Sequence, residues 1–230
     1  MLAITTFHPS HWNFYARRCV ESMVKCWPGP VRVYFEGSAP PALDGIVTRP
    51  LDSVDRTNFL KRKVERPKGV ISNTFLWDAK RFCHKVFAQL DAMEDGEPFW
   101  WIDADVLLLQ PLPEALVEQE DIVTFLGRTS YTETGLIGFN PKHSEFEWFK
   151  RRYKSMYVDG NLLKLDFWTD CHAFDAARAG RGHDLTPNGK GFDNVMRDSK
   201  FGAYMAHFKG PRKAELFRVG GADESVSAVV

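Results

Sequence analysis

Apolar and polar positions change period several times along this chain, and each change marks an element. Leu2-Ala3-Ile4-Thr5-Thr6-Phe7 is a short apolar and β-branched run that predicts a first strand, broken by His8-Pro9-Ser10, with Ser10 placed to cap a helix. Trp12, Tyr15, Ala16, Cys19, Val20, Met23 and Trp27 then recur at helical spacing until Pro28-Gly29-Pro30, and Val31–Phe35 predicts a second strand ended by Glu36-Gly37. Strand, helix and strand in that order form a βαβ unit, which implies a right-handed crossover and a parallel sheet. After a loop-rich stretch with a short strand at Ile46-Val47-Thr48, Phe75 to Leu90 is strongly helical, with Phe75, Leu76, Ala79, Phe82, Cys83, Val86, Phe87 and Leu90 as its buried stripe. Further strands are predicted at Val106–Leu109, Asp121–Leu126, Thr134–Phe139 and Gly202–Phe208. Helices are predicted over Glu145–Tyr157 and from about Asp170 through Phe174 to Ala179, stopped by Gly180. The fold class expected is α/β, a mostly parallel central sheet flanked by helices.

One stretch breaks its own pattern. Phe99-Trp100-Trp101-Ile102 reads as a fully buried strand behind the turn Asp95-Gly96-Glu97-Pro98, yet Asp103 and Asp105 interrupt the apolar run before Val106-Leu107-Leu108-Leu109. Unpaired buried charge is costly, so these acids must meet solvent or a cation. Two apart in an extended segment, they point the same way. Two hard oxygen ligands at a strand end suit Mg²⁺ or Mn²⁺ carrying a diphosphate, and in open α/β sheets the ligand crevice lies beyond the carboxyl ends of the strands. A bare D-x-D more often just ends a strand at the surface; the hydrophobic context on both sides weighs against that here. A sharper rival is a phosphatase of the haloacid dehalogenase type, whose apolar strand also ends D-x-D-x-[TV], as Asp103-Ala104-Asp105-Val106 does, with the first acid as nucleophile.

Composition narrows the classes. At 230 residues one domain is the default, and Lys+Arg and Asp+Glu balance at 30 each, which argues against bulk nucleic-acid or acidic-membrane binding. Cys19, Cys26, Cys83 and Cys171 form no C-x-x-C pair and fall in predicted helices, as small buried hydrophobes of a reducing compartment do. Leu2 already opens a strand, leaving no room for a leader, and no uncharged apolar run could span a bilayer; a cytoplasmic setting is expected.

Other positions gain meaning from where the elements put them. Thr5, Thr6 and Phe7 would lie at the carboxyl end of the first strand, where nucleotides bind, although ordinary strand composition taken alone is the favoured explanation. Arg81 and Lys85 share one helix face that could overlook the acids; a solvated face is the competing reading. The charge run Lys61-Arg62-Lys63-Val64-Glu65-Arg66-Pro67-Lys68 reads as a solvated helix end or a mobile loop, with an acceptor or phosphate contact as the minority reading.

About a hundred residues after the acids comes His207-Phe208-Lys209-Gly210-Pro211-Arg212-Lys213, an H-x-x-G-x-x-K pattern. Together with the strand-ending D-x-D it resembles the GT-A-fold retaining glycosyltransferases of the glycogenin and lipopolysaccharide galactosyltransferase type (family 8), over Leu2 to about Lys213. The resemblance implies a single catalytic domain at 1–213 with a short extension at 214–230. It implies Mn²⁺, with Mg²⁺ as the other suitable cation, bound by Asp103, Asp105 and His207. It places Asp103-Ala104-Asp105 on a nucleotide-sugar donor, a UDP-sugar by the family pattern, with Gly210 and Lys213 on its diphosphate. Trp168-Thr169-Asp170 resembles the family's stretch whose acid contacts the donor sugar; a plain helix N-cap is the alternative for Asp170. Glu133, at a strand entrance, is a second acid for sugar or acceptor, against a solvated loop acid. Arg81 or Lys85 stands where the family has a basic helix residue. The chemistry agrees: a divalent ion and a lysine stabilise a diphosphate leaving group, and a histidine beside two carboxylates tilts a hard site toward Mn²⁺.

The pattern departs in two places: Cys171-His172 follows the acid where Gln is usual, and Ala214-Glu215 follows the loop lysine where Pro-Trp is common. Both bear on donor sugar and acceptor rather than on reaction class. The acceptor stays open among protein, lipid-linked glycan, free sugar and modified nucleobase. A phosphatase, and a sugar-nucleotide-binding protein without catalysis, remain the alternatives.

Overall fold

A computed structural model describes residues 1–37, 39, 42–69, 71, 74–186 and 194–214. The short apolar runs become strands β1 (Leu2–Thr6), β2 (Val31–Phe35), β3 (Ile46–Pro50), β4 (Phe99–Ile102), β5 (Val106–Leu108), β6 (Val123–Leu126), β7 (Glu133–Phe139), β8 (His183–Asp184) and β9 (Met205–His207). The helices are α1 (Arg17–Cys26), α2 (Val54–Lys61), α3 (Ala79–Met93), α4 (Phe146–Val158), α5 (Asp170–Arg178) and α6 (Val195–Asp198). The extension read at 214–230 lies outside the described residues beyond Ala214, as does the end of the Gly- and Asn-rich loop after α5.

Seven strands form the main sheet in the order β3-β2-β1-β4-β7-β6-β8. All neighbours run parallel except β7, which is antiparallel to β4 and to β6. The acid-ended strand β4 therefore sits at the centre. Its four residues are all buried because helices cover both faces of the sheet, which is why its sequence is continuously apolar rather than alternating. Between β6 and β7 the register jumps from Phe125↔Ile137 to Leu126↔Glu133. That bulge turns residues 133–135 toward the sheet's carboxyl edge.

Sequence and structure differ where local chemistry outweighs periodicity. Val106-Leu107-Leu108 does not continue β4: a turn at Ala104-Asp105, closed by Val106 N–H to Asp103 O at 2.9 Å, starts β5, which leaves the main sheet and pairs antiparallel with β9. Helix α3 starts at Ala79 rather than Phe75, because the Asp78 side chain accepts from the Arg81 N–H and caps it. The preceding 3₁₀ turn Thr74–Trp77 leaves Phe75 exposed instead of in the buried stripe. Ser10 is not the cap expected of it: the His8 ring accepts from the Ser10 N–H, and a 3₁₀ turn (Pro9–His11) and a π turn (Trp12–Ala16) precede α1. Helix α2, which the sequence pattern does not announce, buries only Phe59 and so shows no apolar stripe; the Ser53 hydroxyl accepting from the Arg56 N–H sets its start.

On one face of the sheet, α3, α4 and α5 enclose an aromatic core in which Phe174 meets Phe125, Phe139, Phe149 and Tyr153, with ring centroids 5.9 to 6.3 Å apart. The other face packs Met23, Trp27, Trp100, Leu126 and Phe201. Since Phe174 is wholly buried among rings that cannot collapse inward, Phe174→Ala is expected to lower stability by about 3–5 kcal/mol, read as a shifted urea midpoint; a shift worth under about 1 kcal/mol would contradict this packing. Among the described residues, no helix is long and apolar enough to cross a membrane.

Candidate metal centre and its pocket

The pairing of β5 with β9 sets Val106 opposite His207, and this local sheet brings the two distant motifs together. Asp103 leaves the end of β4 with its N–H donating to Gly135 O at 2.9 Å. Asp105 follows in the turn. His207 Nε2 lies 3.1 Å from Asp105 Oδ1, and one ligand atom from each of Asp103, Asp105 and His207 falls within 4.8 Å of the others. His207 is buried and its Nδ1 has no hydrogen-bond partner. Two carboxylates and an imidazole with their ligand atoms this close are a donor set that fits a divalent cation.

Gly135, in the β7 bulge, makes room for this ring. A Cβ there would stand 2.4 Å from His207 Cε1 and 2.8 Å from its Nδ1. Gly135→Ala is therefore expected to displace His207 and weaken Mn²⁺ binding by more than about tenfold while the chain stays folded; unchanged Mn²⁺ affinity by calorimetry would show that His207 is no ligand.

Lys213 closes the centre from the last loop. Its Nζ is 2.8 Å from Asp105 Oδ2 and 4.8 Å from the centre of the Tyr15 ring, which the π turn presents. Burial opposes ionisation of Asp105, but the His207 and Lys213 contacts overcome it and hold its carboxyl well below the usual carboxylate range. Gly210, three residues earlier, has φ +55°, a left-handed conformation that suits glycine.

A second cluster sits behind Asp103. Lys85 Nζ reaches Asp103 Oδ1 and Asp170 Oδ2, each at 2.8 Å, and donates to Thr134 O at 2.5 Å. Thr134 Oγ1 donates to Asp170 Oδ2 at 2.6 Å. Burial alone would discharge these groups; instead the two carboxylates raise the Lys85 pKa, and Lys85 with Thr134 lowers that of Asp170. Asp170 is buried at the first turn of α5 with its carboxylate in this pocket; Thr169 occupies the cap position without a side-chain cap bond, and the Asp170 carboxylate also accepts from the first-turn Cys171 N–H.

A third cluster centres on Glu133, which is buried rather than a solvated loop acid. Its Oε1 accepts from Gly135 N–H at 3.0 Å and lies 3.6 Å from His207 Nδ1, and its Oε2 accepts from both Arg128 and Lys209.

These groups line one cavity of about 520 Å³ that also includes Arg81, Gly210, Tyr131 and His172. Of the positions singled out in the sequence, Asp103, Asp105, His207, Glu133, Asp170, Arg81, Lys85, Gly210 and Lys213 meet in it. Thr5, Thr6, Phe7 and Ala104 do not line it. Thr5 is buried in the sheet, Thr6 Oγ1 donates to Tyr34 O at 3.0 Å, Phe7 stacks on Trp12, and Ala104 packs in the same apolar cluster as Phe7. Arg128, Thr134 and Lys209 join the cavity without a sequence signal of their own: Arg128 lies in the connection from β6 to β7, Thr134 in the bulge, which leaves no periodic trace, and Lys209 is an unmarked position inside the H-x-x-G-x-x-K stretch.

No protein-family model and no curated protein sequence matches the chain. Solved structures do. The galactosyltransferase LgtC, in complex with donor and acceptor sugar analogues, aligns over 95% of this chain and 96% of its own, with a TM-score of 0.51 at 12% identity. The bifunctional glycosyltransferase WbbM aligns over 91% of this chain at TM-score 0.56 and 14% identity, and this chain spans 46% of WbbM. An active-site mutant of LgtC aligns at TM-score 0.50 and 11% identity. At these identities the likeness is one of fold, and that fold is GT-A.

Proposed function

We propose that this protein is a metal-dependent glycosyltransferase of the family-8 type, with residues 1–213 as its single catalytic domain, moving a sugar from a nucleoside-diphosphate donor, a UDP-sugar, to an acceptor with retention of anomeric configuration. The observation that carries this reading is the convergence of Asp103, Asp105 and His207 beside Lys213 at the carboxyl end of the central strand of a GT-A fold. The donor and acceptor sugar analogues of LgtC are consistent with it.

When bound, Mn²⁺ or Mg²⁺ supplies Lewis-acid charge to the departing diphosphate. Asp103, Asp105 and His207 would hold that ion. Lys213, already oriented by Asp105 and the Tyr15 ring, adds a fixed ammonium where negative charge develops. Lys85 is committed to Asp103 and Asp170, so its task is to hold both carboxylates in place, rather than to contact phosphate. Asp170, ionised and buried, lies against the sugar and stabilises positive charge at the anomeric carbon. Glu133 faces the acceptor side and accepts a hydrogen bond from the attacking hydroxyl. The phosphatase alternative is set aside because the fold is GT-A and Asp103 is engaged by Trp101 Nε1–H and Lys85.

Release of UDP from a panel of UDP-sugars tests the proposal. Turnover with Mn²⁺ and none with EDTA is expected for at least one donor; metal-independent release, or none from any UDP-sugar, would overturn it.

A further inference from the structure

The cations of this cavity are not evenly matched. Lys85 faces two carboxylates, Asp103 and Asp170, and Lys213 faces Asp105. Arg128 and Lys209, by contrast, converge on one oxygen of a single acid, Glu133. That acid also separates them from the metal ligands. Its Oε1 is turned to His207 and the Gly135 N–H, and its Oε2 to the two cations. Arg128 is largely buried, with only 11% of its side chain exposed, and its Nε–H is a buried donor without a partner. Two cations on one carboxylate leave positive charge at this wall of the cavity, and the planar fork of a guanidinium matches carboxylate and phosphate. Its Cζ lies 5.6 Å from the centre of the Tyr131 ring, a half-exposed aromatic whose ring is in turn 5.6 Å from that of His172.

We propose that Arg128 and Lys209 form an anion subsite for the acceptor, so that the molecule receiving the sugar carries a carboxylate or a phosphate close to its reacting hydroxyl. This rests on the glycosyltransferase reading of the cavity. The hydroxyl donates to Glu133, the anionic group takes the surplus positive charge on the far side of that carboxylate, and the Tyr131 ring offers a flat apolar face to the body of the acceptor. The donor's diphosphate is provided for on the other side by Lys213 and the metal ligands. The subsite therefore sets which acceptors bind, not how the donor is held.

The test is calorimetric titration of the protein saturated with Mn²⁺ and UDP, using methyl β-D-glucoside, methyl β-D-glucuronide and glucose 6-phosphate as probes. A hydrogen bond to a charged group is strong enough to give about a tenfold or larger preference, so at least one anionic probe is expected to bind that much tighter than the neutral glucoside. Whether the glucuronide or the phosphate binds tighter tells a carboxylate acceptor from a phosphorylated one. Arg128→Met should erase the preference and leave UDP affinity within about twofold, since a donor contact alone would move UDP. Lys209→Met, at a half-exposed side chain, gives the same readout should the first variant fold poorly. Equal binding of neutral and anionic probes, a preference that survives both variants, or a matching loss of UDP affinity would overturn the proposal. Failure of the wild-type protein to bind UDP at all would instead contradict the donor reading. The anion preference is then judged by the same criterion on nucleotide-free protein.

Discussion

Asp105→Ala is expected to abolish manganese-dependent UDP binding, the largest effect of any single substitution in the cavity. Removing a group that merely orients a metal ligand costs about 10- to 100-fold in metal affinity, and removing a ligand itself costs more. Asp105 is also what holds two other members of the centre, His207 Nε2 at 3.1 Å and Lys213 Nζ at 2.8 Å. In the proposed site its loss would remove a ligand and free the Lys213 ammonium, and it leaves the buried His207 Nε2 without its partner. Stability changes as well, and the sign is fixed by the pKa. The folded-state value lies below that of the unfolded chain, so this carboxylate contributes stability above about pH 4 that is lost as the pH falls through the folded value. Near neutrality the variant is therefore somewhat less stable than wild type, and binding is read by calorimetry on protein whose circular dichroism is native. Unchanged UDP affinity in the presence of Mn²⁺ would remove Asp105 from the centre.

The second large effect is expected for Asp170→Asn. Asparagine keeps the shape and can still accept from Thr134 Oγ1, but it takes away the charge that faces Lys85 at 2.8 Å. If Asp170 stabilises the sugar during transfer, kcat falls by about a hundred- to a thousand-fold while UDP and Mn²⁺ bind nearly as before. If Asp170 only balances Lys85, the loss appears as stability, because breaking one partner of a buried pair costs about 3–5 kcal/mol, and the folded fraction turns over normally. The split between kcat and unfolding midpoint separates the two roles, and near-normal kcat would leave Asp170 a structural ion pair.

The metal centre is legible in the sequence because it violates the pattern around it. Two acids cannot end Phe99-Trp100-Trp101-Ile102 in the middle of a buried sheet without a partner, and His207 falls in a recognisable spacing with Gly210 and Lys213. The central position of β4 follows from its unbroken apolar character. What stays hidden depends on distant pairing. Leu107 and Leu108 read correctly as a strand, but nothing local announces that its partner is β9, about a hundred residues on. Arg81 and Lys85 read in sequence alike, on one helix face that either overlooks the acids or is solvated, yet Lys85 is buried between two acids while Arg81 is exposed, a difference set by tertiary packing rather than by their shared helix face. Arg128 carries no signal at all in sequence, because the β6–β7 bulge that positions Glu133 for it is a matter of register. Thr5, Thr6 and Phe7 show the reverse: they end a strand in the right part of the sheet, yet Thr5 and Phe7 are buried and Thr6 Oγ1 bonds to Tyr34 O, so none lines the cavity.

The most direct measurement is anomalous X-ray diffraction from crystals grown with Mn²⁺ and UDP. One manganese peak is expected among Asp103, Asp105 and His207, with UDP in the same cavity beside Lys213. UDP bound in the cavity with no manganese peak among those three side chains would contradict the metal centre proposed for this fold.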